Sequence, residues 1–436
     1  MTEDIFDRMT AAVQRARPTV PAGRITEIAG NLIKVTGLSA HARVGDRLHV
    51  VGPEMKGEVL RSSATTLDAM IEGSSEGLGL GAYVALTPRP VFSPHNGWIG
   101  RVVDPDGLPL DSKPLLPGTH ARHIHADPPP AAERRQMGDR LSTGFAVFDT
   151  VLPIVRGQRI GLFAGSGVGK STLLASLAKR VDADVIVIGL VGERGRELRE
   201  FVTKSLGPDG MARSVIVAAT SDRAAQTRRR CPLAATAVAE YFRDQGKQVL
   251  LLMDSVTRFA EAHREVAVAS GEAANLRGHP ASTPTAIAGL CERAGPGKDA
   301  QGDITAIYTV LVSGSDMEEP VADMLRGVLD GHVVLDRTIA ERGRFPAIDV
   351  PRSVSRSLPE AANPSENKLI QKARQHMGTY AQAELMIQAG LYAAGSDTKI
   401  DESIAVHDKL EAFIATQGEQ STAGSFHLLQ RALALE

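Results

Sequence analysis

The stretch "AGSGVGKST", Ala164–Thr172, follows the apolar run "RIGLF" and precedes the helical run "TLLASLAKR". Glycines spaced this way in a strand-to-helix turn let successive backbone N–H groups point inward, and the helix behind them adds its positive end. The pattern is a phosphate-binding P-loop, with Ala164 where the strict form has glycine. That departure is minor, because the position makes the turn rather than the phosphate contact. Ala164, Gly165, Ser166, Gly167, Val168, Gly169, Lys170, Ser171 and Thr172 are therefore the expected nucleotide cradle. Lys170 suits the β- and γ-phosphates of ATP, and the Ser171 hydroxyl suits Mg²⁺.

The flanks agree with a nucleotide-binding core. "DVIVIGLVG", "RSVIVAAT", "QVLLLMD" and "TAIYTVLV" are nearly continuous apolar runs. Parallel strands covered on both faces by helices read this way. With helical runs such as "PLAATAVAEYFRDQG" between them, the expectation over residues 91–350 is an α/β domain with a doubly wound, mainly parallel sheet. Over residues 20–90, short segments such as "RITEIAGNLIKVTG" and "TLDAMIEG" alternate apolar and polar positions between glycines, which predicts a small β-barrel or sandwich. Residues 351–436 are Ala-, Gln- and Leu-rich and read as a helical domain. Residues 1–17 place Ile5, Phe6, Met9 and Val13 on one helical face before "RPTVPAG" breaks the run, so an amphipathic helix is expected there.

Composition bounds the function classes. The chain has 436 residues, 43% hydrophobic and 23% charged, the balance of a multidomain globular protein. A net charge of -2 gives no bulk electrostatic case for nucleic acid or anionic membrane. Cys231 and Cys291 stand in no metal-ligand spacing. "MTEDIFDRMT" lacks the apolar core of a signal peptide, and no uncharged apolar run reaches membrane-spanning length. A soluble cytoplasmic protein is expected.

Three further stretches carry chemistry. "QVLLLMDS" ends in Asp254, at the carboxyl end of a strand, where α/β proteins bind ligands. It is a candidate for the second shell of Mg²⁺, with a helix N-cap as the plain structural alternative. "GLVGERGRE" places Glu193 and Arg194 at the end of the strand after the P-loop helix, with Glu197 one turn on. Hydrolysis of a bound nucleotide needs a group that orients water and groups that neutralise developing charge. Glu193 suits the first task, Arg194 the second, and Glu197 suits Mg²⁺-bound water. "FPAIDVPRSVSR", Phe345–Arg356, is expected to lie outside the sheet. The "RRR" at Arg228–Arg230 reads as a solvated helix start.

These residues amount to a resemblance. "PAIDVPRSVS", "AGSGVGKS", "GERGRE", "LLLMDSVTRFA" and "LDGHVVLDR" resemble the signatures of the rotary ATPase alpha/beta superfamily. Within it, "TAVAEYFRDQGKQVLLLMDSVTRFAEAHREVAVASGE" and "YAAGSDTKIDESI" are similar to the flagellum-specific export ATPases and their virulence-secretion cousins. The resemblance covers nearly the whole chain. It implies a RecA-like P-loop fold, an ATP- and Mg²⁺-dependent ATPase of type III protein export, and a homohexameric ring with sites between subunits. It makes Glu193 the catalytic glutamate and Arg194 an arginine near the γ-phosphate. It sets Lys170 in the cradle, with Glu197 and Asp254 near Mg²⁺ and Arg258 by the phosphates. Phe345 falls where a ring packs on adenine, and Arg356 where the neighbouring subunit supplies an arginine finger. Implied partners are a dimeric, stator-like regulator at the N-terminal helix, a central stalk in the ring pore, and the export gate with its substrates or chaperones. Peripheral association with the inner face of the cytoplasmic membrane is implied as well. The segment Ala274–Gly295 departs from the family around "HPASTPTAI", in a loop that faces the pore of such rings, and the tail "ATQGEQSTAGSF" offers no adenine contact.

Four other readings compete. A virulence-secretion ATPase has the same chemistry. The catalytic subunit of a rotary ATP synthase fits the short helical end and amphipathic start less well. A non-catalytic ring subunit would lack Glu193. An RNA motor on this core would carry aromatic stacking platforms on its barrel, where Tyr83 is the only aromatic residue between Val20 and Pro90.

Overall fold

The computed structural model describes the chain apart from residues 1–5, 7–8, 11–12, 14–18, 53–54, 88–91, 276, 313–316, 419–420 and 435–436. Most of the expected N-terminal helix thus lies outside the described residues. Its Phe6, Met9 and Val13 are helical and exposed.

Strands β1 (Ala22–Ala29), β2 (Leu32–Thr36), β3 (Arg47–Val50), β4 (Met55–Ser62), β5 (Thr66–Ile71) and β6 (Tyr83–Thr87) close into a barrel of order β1-β2-β5-β4-β3-β6. The alternation read from the sequence is the reason. Ile25, Ile33, Val35, Leu48, Val59 and Leu67 point inward and fill the interior.

The second sheet runs β14-β13-β8-β12-β11-β9-β10-β7. Its members are β7 (Val102–Val103), β8 (Arg159–Ala164), β9 (Val185–Glu193), β10 (Ser214–Thr220), β11 (Val249–Asp254), β12 (Ile304–Leu311), β13 (Gly331–Leu335) and β14 (Ile348–Ser355). All pairings are parallel except β13 with β14. Each central strand feeds two cores. In β9, Ile186, Ile188 and Leu190 join the cluster beneath the P-loop helix α1 (Lys170–Arg180), which also holds Leu173, Leu177 and Leu410. Val185, Val187 and Val191 join the opposite cluster, with Ala234, Val238 and Phe242 of α3 (Ala225–Arg243). A short α2 (Gly195–Glu200) follows β9, and α4 (Val256–Ala269) follows β11. Helices α5 (Thr283–Glu292) and α6 (Pro320–Val328) flank the second core. The C-terminal helices α7 (Pro364–Gln388), α8 (Thr398–Ala415) and α9 (Thr422–Ala432) complete the chain, the first opened by an Asn363–Glu366 capping box.

Two expectations are corrected. "FPAIDVPRSVSR" does not lie outside the sheet: its Ile348–Ser355 segment is the edge strand β14, which carries the sheet across residue 350. Pro351 is tolerated because only one side of an edge strand needs its N–H groups. "RRR" is not a solvated helix start. Arg230 is buried and pairs with Glu58 at 3.2 Å and Glu72 at 3.0 Å, Arg229 also binds Glu58, and Arg47 binds Glu72 and Asp106. Arg228, half-buried like Arg229, pairs with Glu265. This network joins the barrel to α3. Such buried charges are costly alone, so breaking one pair typically costs about 3–5 kcal/mol.

Candidate active site

The carboxyl ends of β8, β11 and β9 lie along one edge of the sheet, with β12 between β8 and β11, and carry the expected site. At the P-loop, Gly167 (φ 78°) and Gly169 (φ 85°) take left-handed conformations that other residues avoid. A Cβ on Gly169 would also stand 3.3 Å from the Phe345 ring. Val168 is buried and anchors the loop, whereas Ser166, Gly167, Ser171 and Thr172 are exposed around it. Helix α1 begins at Lys170, so its N-terminal amides face the same mouth.

Lys170 turns inward. Its Nζ bonds Asp254 Oδ1 and lies 3.9 Å from Glu193 Oε1. Asp254 is buried at the end of β11 and is not a helix cap: Ser255 takes that role, its hydroxyl accepting from Arg258 N. Thr309 of β12 donates to the same Asp254 Oδ1 at 2.7 Å. Thr309 was missed in the sequence, although a hydroxyl inside the apolar run "TAIYTVLV" is a signal, because a buried hydroxyl needs a partner.

Glu193 closes β9 after Gly192, whose positive φ (69°) bends the chain at a register shift against β10. Burial pushes its carboxyl up to about 7, the Asp254 charge pushes the same way, and Lys170 opposes both. A carboxylate poised near neutrality beside a lysine and a second carboxylate can take a proton from water at working pH.

The remaining candidates lie further out. Arg194 and Glu197 pair with each other at 3.3 Å, and Arg194 is 80% exposed, so both belong to the rim of the site. Arg258 packs beside Gly192 and pairs with Glu261 at 2.9 Å. Phe345 reaches the P-loop from the start of β14 and is 47% exposed. Arg356 lies at the other end of that strand. Ile348 pairs with Leu335, which pairs with Ala164 of the P-loop strand, whereas Ser355 pairs with Gly331. Arg356 N–H bonds Asp330 O, and Asp330 N–H bonds Arg159 O at the amino end of β8, five residues before Ala164, so at ~3.3 Å per residue Arg356 stands roughly 17 Å from the P-loop end of that strand. There the Arg356 guanidinium caps the end of α6, donating to Arg326 O and Leu329 O, each at 3.2 Å. Arg356 cannot touch the P-loop of its own chain.

The donor set fits a magnesium nucleotide. Among the described residues no group of three or more His, Cys, Asp or Glu side chains could hold a metal ion. Mg²⁺ does not require such a cage, since it is usually held by one or two carboxylates, waters and substrate phosphates. The exposed Ser171 hydroxyl at the start of α1 and the buried Asp254 carboxylate at the end of β11 are the oxygens that would supply such a share.

Residues 144–355 match the model of the ATP synthase alpha/beta family nucleotide-binding domain, and residues 362–431 that of the T3SS EscN ATPase C-terminal domain. The chain belongs to the family of flagellar and type III secretion ATPases. It is 42% identical to the flagellum-specific ATP synthase of Caulobacter vibrioides over 98% of this chain and 99% of that one. It is 41% identical to the type 3 secretion system ATPase of Pseudomonas syringae pv. tomato, covering 90% of this chain and 89% of that one. Among solved structures, the assembled ATPase EscN of the enteropathogenic E. coli type III secretion system superposes with a TM-score of 0.87 at 36% identity, covering 94% of this chain and 100% of that one. EscN in complex with its central stalk EscO gives 0.84. The chain is an ATPase of the alpha/beta P-loop class, and its barrel, RecA-like core and helical end match the EscN architecture. No helix among the described residues is long and apolar enough to cross a membrane.

Proposed function

We propose that this chain is the ATPase of a flagellar type III protein-export apparatus and works as a homohexameric ring whose active sites form between neighbouring subunits. The P-loop amides and Lys170 bind the β- and γ-phosphates, and Phe345 stacks on adenine. Ser171, with Asp254 and Glu197 acting through water, would hold Mg²⁺, which would supply charge neutralisation at the phosphates. Glu193 holds a proton of the attacking water as its oxygen bonds the γ-phosphorus. The bond to the β-phosphate oxygen breaks and ADP departs. Arg194 and Arg258 stand at the rim to meet the developing charge. The observation that carries the ring is the position of Arg356 at the end of the sheet opposite its own P-loop, level with Arg159 and roughly 17 Å along β8 from Ala164. An arginine finger there can serve only a neighbour, and such a finger is typically worth about 10³–10⁵ in rate. A monomer is therefore a poor ATPase.

The test mixes two defective proteins. Lys170→Ala and Arg356→Ala should each be inactive alone and partly active together, because some interfaces then pair an intact P-loop with an intact finger. No rescue at concentrations where light scattering shows mixed rings refutes the trans role. The flagellar assignment rests on overall resemblance, and motility of a host lacking this chain reads it directly. Further partners follow from the same resemblance. They are a stator-like dimeric regulator at residues 1–17, a central stalk in the pore, and the export gate with its substrates or chaperones, at the cytoplasmic face of the membrane.

A further inference from the structure

Strand β12 lies between the P-loop strand β8 and the Asp254 strand β11, and Thr309 is fully buried in it (0%). A hydroxyl taken out of water is costly unless it finds a partner. The partner is Asp254 Oδ1, at 2.7 Å. Lys170 Nζ donates to that same oxygen. Two donors from separate elements, β12 and α1, thus converge on one oxygen of a carboxylate that is itself 4% exposed. A carboxylate gripped in this way at Oδ1 cannot rotate freely, and Oδ2 keeps its acceptor capacity.

The two donors are not equivalent. Lys170 is shared with Glu193 at 3.9 Å and is the group that engages the phosphates in the proposed reaction. Thr309 sits on a central strand with no other task in the site. Its bond does not involve the lysine, so it is available to hold Asp254 when a nucleotide engages Lys170.

We propose that Thr309 is a positioning residue for the magnesium arm of the site: its hydroxyl fixes Asp254 through Oδ1 and reserves Oδ2 for the water shell of the nucleotide's divalent cation. The proposal rests on the reading of Asp254 as a Mg²⁺ second-shell group.

Thr309→Val keeps the shape and removes the donor, and Thr309→Ser restores it. The primary readout is binding of a fluorescent, non-hydrolysable ATP analogue to the full-length protein as Mg²⁺ is titrated. T309V should need about tenfold more Mg²⁺ for half-maximal tight binding, since hydrogen bonds to charged groups are the stronger ones. Binding without Mg²⁺ should not change. In steady state T309V should lose about 10- to 100-fold in kcat while KM for ATP stays within about threefold. T309S should match wild type in both assays. Wild-type Mg²⁺ dependence in T309V overturns the proposal. So does a loss of Mg²⁺-free binding shared by T309V and T309S, which marks a structural role. If T309V does not fold, T309A against T309S decides by the same titration. Asp254→Asn separates the two readings. If D254N shifts the Mg²⁺ dependence and T309V does not, Thr309 has no such role and the site stands. If D254N does not shift it either, the reading of Asp254 falls.

Discussion

The charge state of Glu193 governs the chemistry proposed for this site and can be read in a pH profile. The ordinary glutamate value is 4.5, and burial, seconded by the Asp254 charge, raises Glu193 to about 7. The profile of kcat/KM reports groups of the free enzyme, so this is the value it should show. With that midpoint, about a tenth of the enzyme carries the carboxylate at pH 6 and about nine-tenths at pH 8. Activity should therefore climb about tenfold across that window, with an acidic limb near neutrality. Glu193→Gln keeps the size but cannot hold the proton. Turnover should fall about 10²-fold or more while nucleotide affinity stays within a few-fold. The stability consequence has the opposite sign. A folded-state value raised above the unfolded one means that the native protein holds its proton longer. Stability is then full below about 4.5 and is lost as pH rises toward 7. Glu193→Gln should accordingly raise the unfolding temperature at pH 8 and lose that advantage in acid. Initial rates across pH and thermal melts of the two proteins supply the data. An acidic limb near 4.5, or a variant keeping more than about a tenth of wild-type turnover, refutes the base assignment.

Phe345→Ala should weaken binding of a fluorescent ATP analogue about tenfold with a much smaller change in kcat, because base–aromatic stacking is worth about 1–3 kcal/mol; unchanged affinity removes the ring from the adenine site. Deleting residues 1–17 should leave the melting temperature of the core unaltered, keep basal ATPase and abolish capture of the dimeric regulator, and capture equal to the intact chain's refutes the docking role.

The strands of the core were legible because burial on both faces writes itself as apolar runs, and the P-loop because its glycines have a backbone reason to be there. Gly167 and Gly169 have positive φ, and the second also lies against a ring. Glu193 was legible because a carboxylate at the end of a buried strand is expensive without a task. The edge strand β14 was not. It is covered on one face and alternates inward Val350 and Ser353 with outward Pro351 and Val354, so it lacks the apolar run that marked its neighbours. The fate of Arg229 and Arg230 was equally hidden. Their acids, Glu58, Glu72 and Asp106, lie more than a hundred residues upstream, and no local pattern says that a charge run will be buried against another domain. Thr309 shows a third kind of limit. Its burial was foreseeable, but the acceptor it would find depends on β11 and β12 lying side by side.

The geometry of β14 joins the proposed assignments. Phe345 stands at its start, against the P-loop of its own chain, and Arg356 stands just past its end. The strand between them is held stiffly. It pairs with β13 at both ends, Ile348 and Asp349 at one and Val354 and Ser355 at the other, around a register shift between them; Arg344 ties its start to Glu411 at 2.9 Å and to the carbonyls of Pro346 and Ile348, and Ser355 is bonded by Gln158 at 2.9 Å. Both ends are thus anchored to one short strand, β13, which couples their positions. In a ring, one end of each β14 would then line a chain's own site and the other would complete its neighbour's. Closure around adenine at Phe345 would carry Arg356 with it, and the neighbour's hydrolysis would depend on the first subunit's occupancy. The α6 carbonyls that hold Arg356 oppose that transfer, because the guanidinium must leave Arg326 O and Leu329 O before it can reach a phosphate. If Arg356 serves as the proposed finger, it would engage only when a neighbour's phosphate replaces these two backbone carbonyls as its acceptor, and an ionised acceptor bonds a guanidinium more strongly than a neutral one.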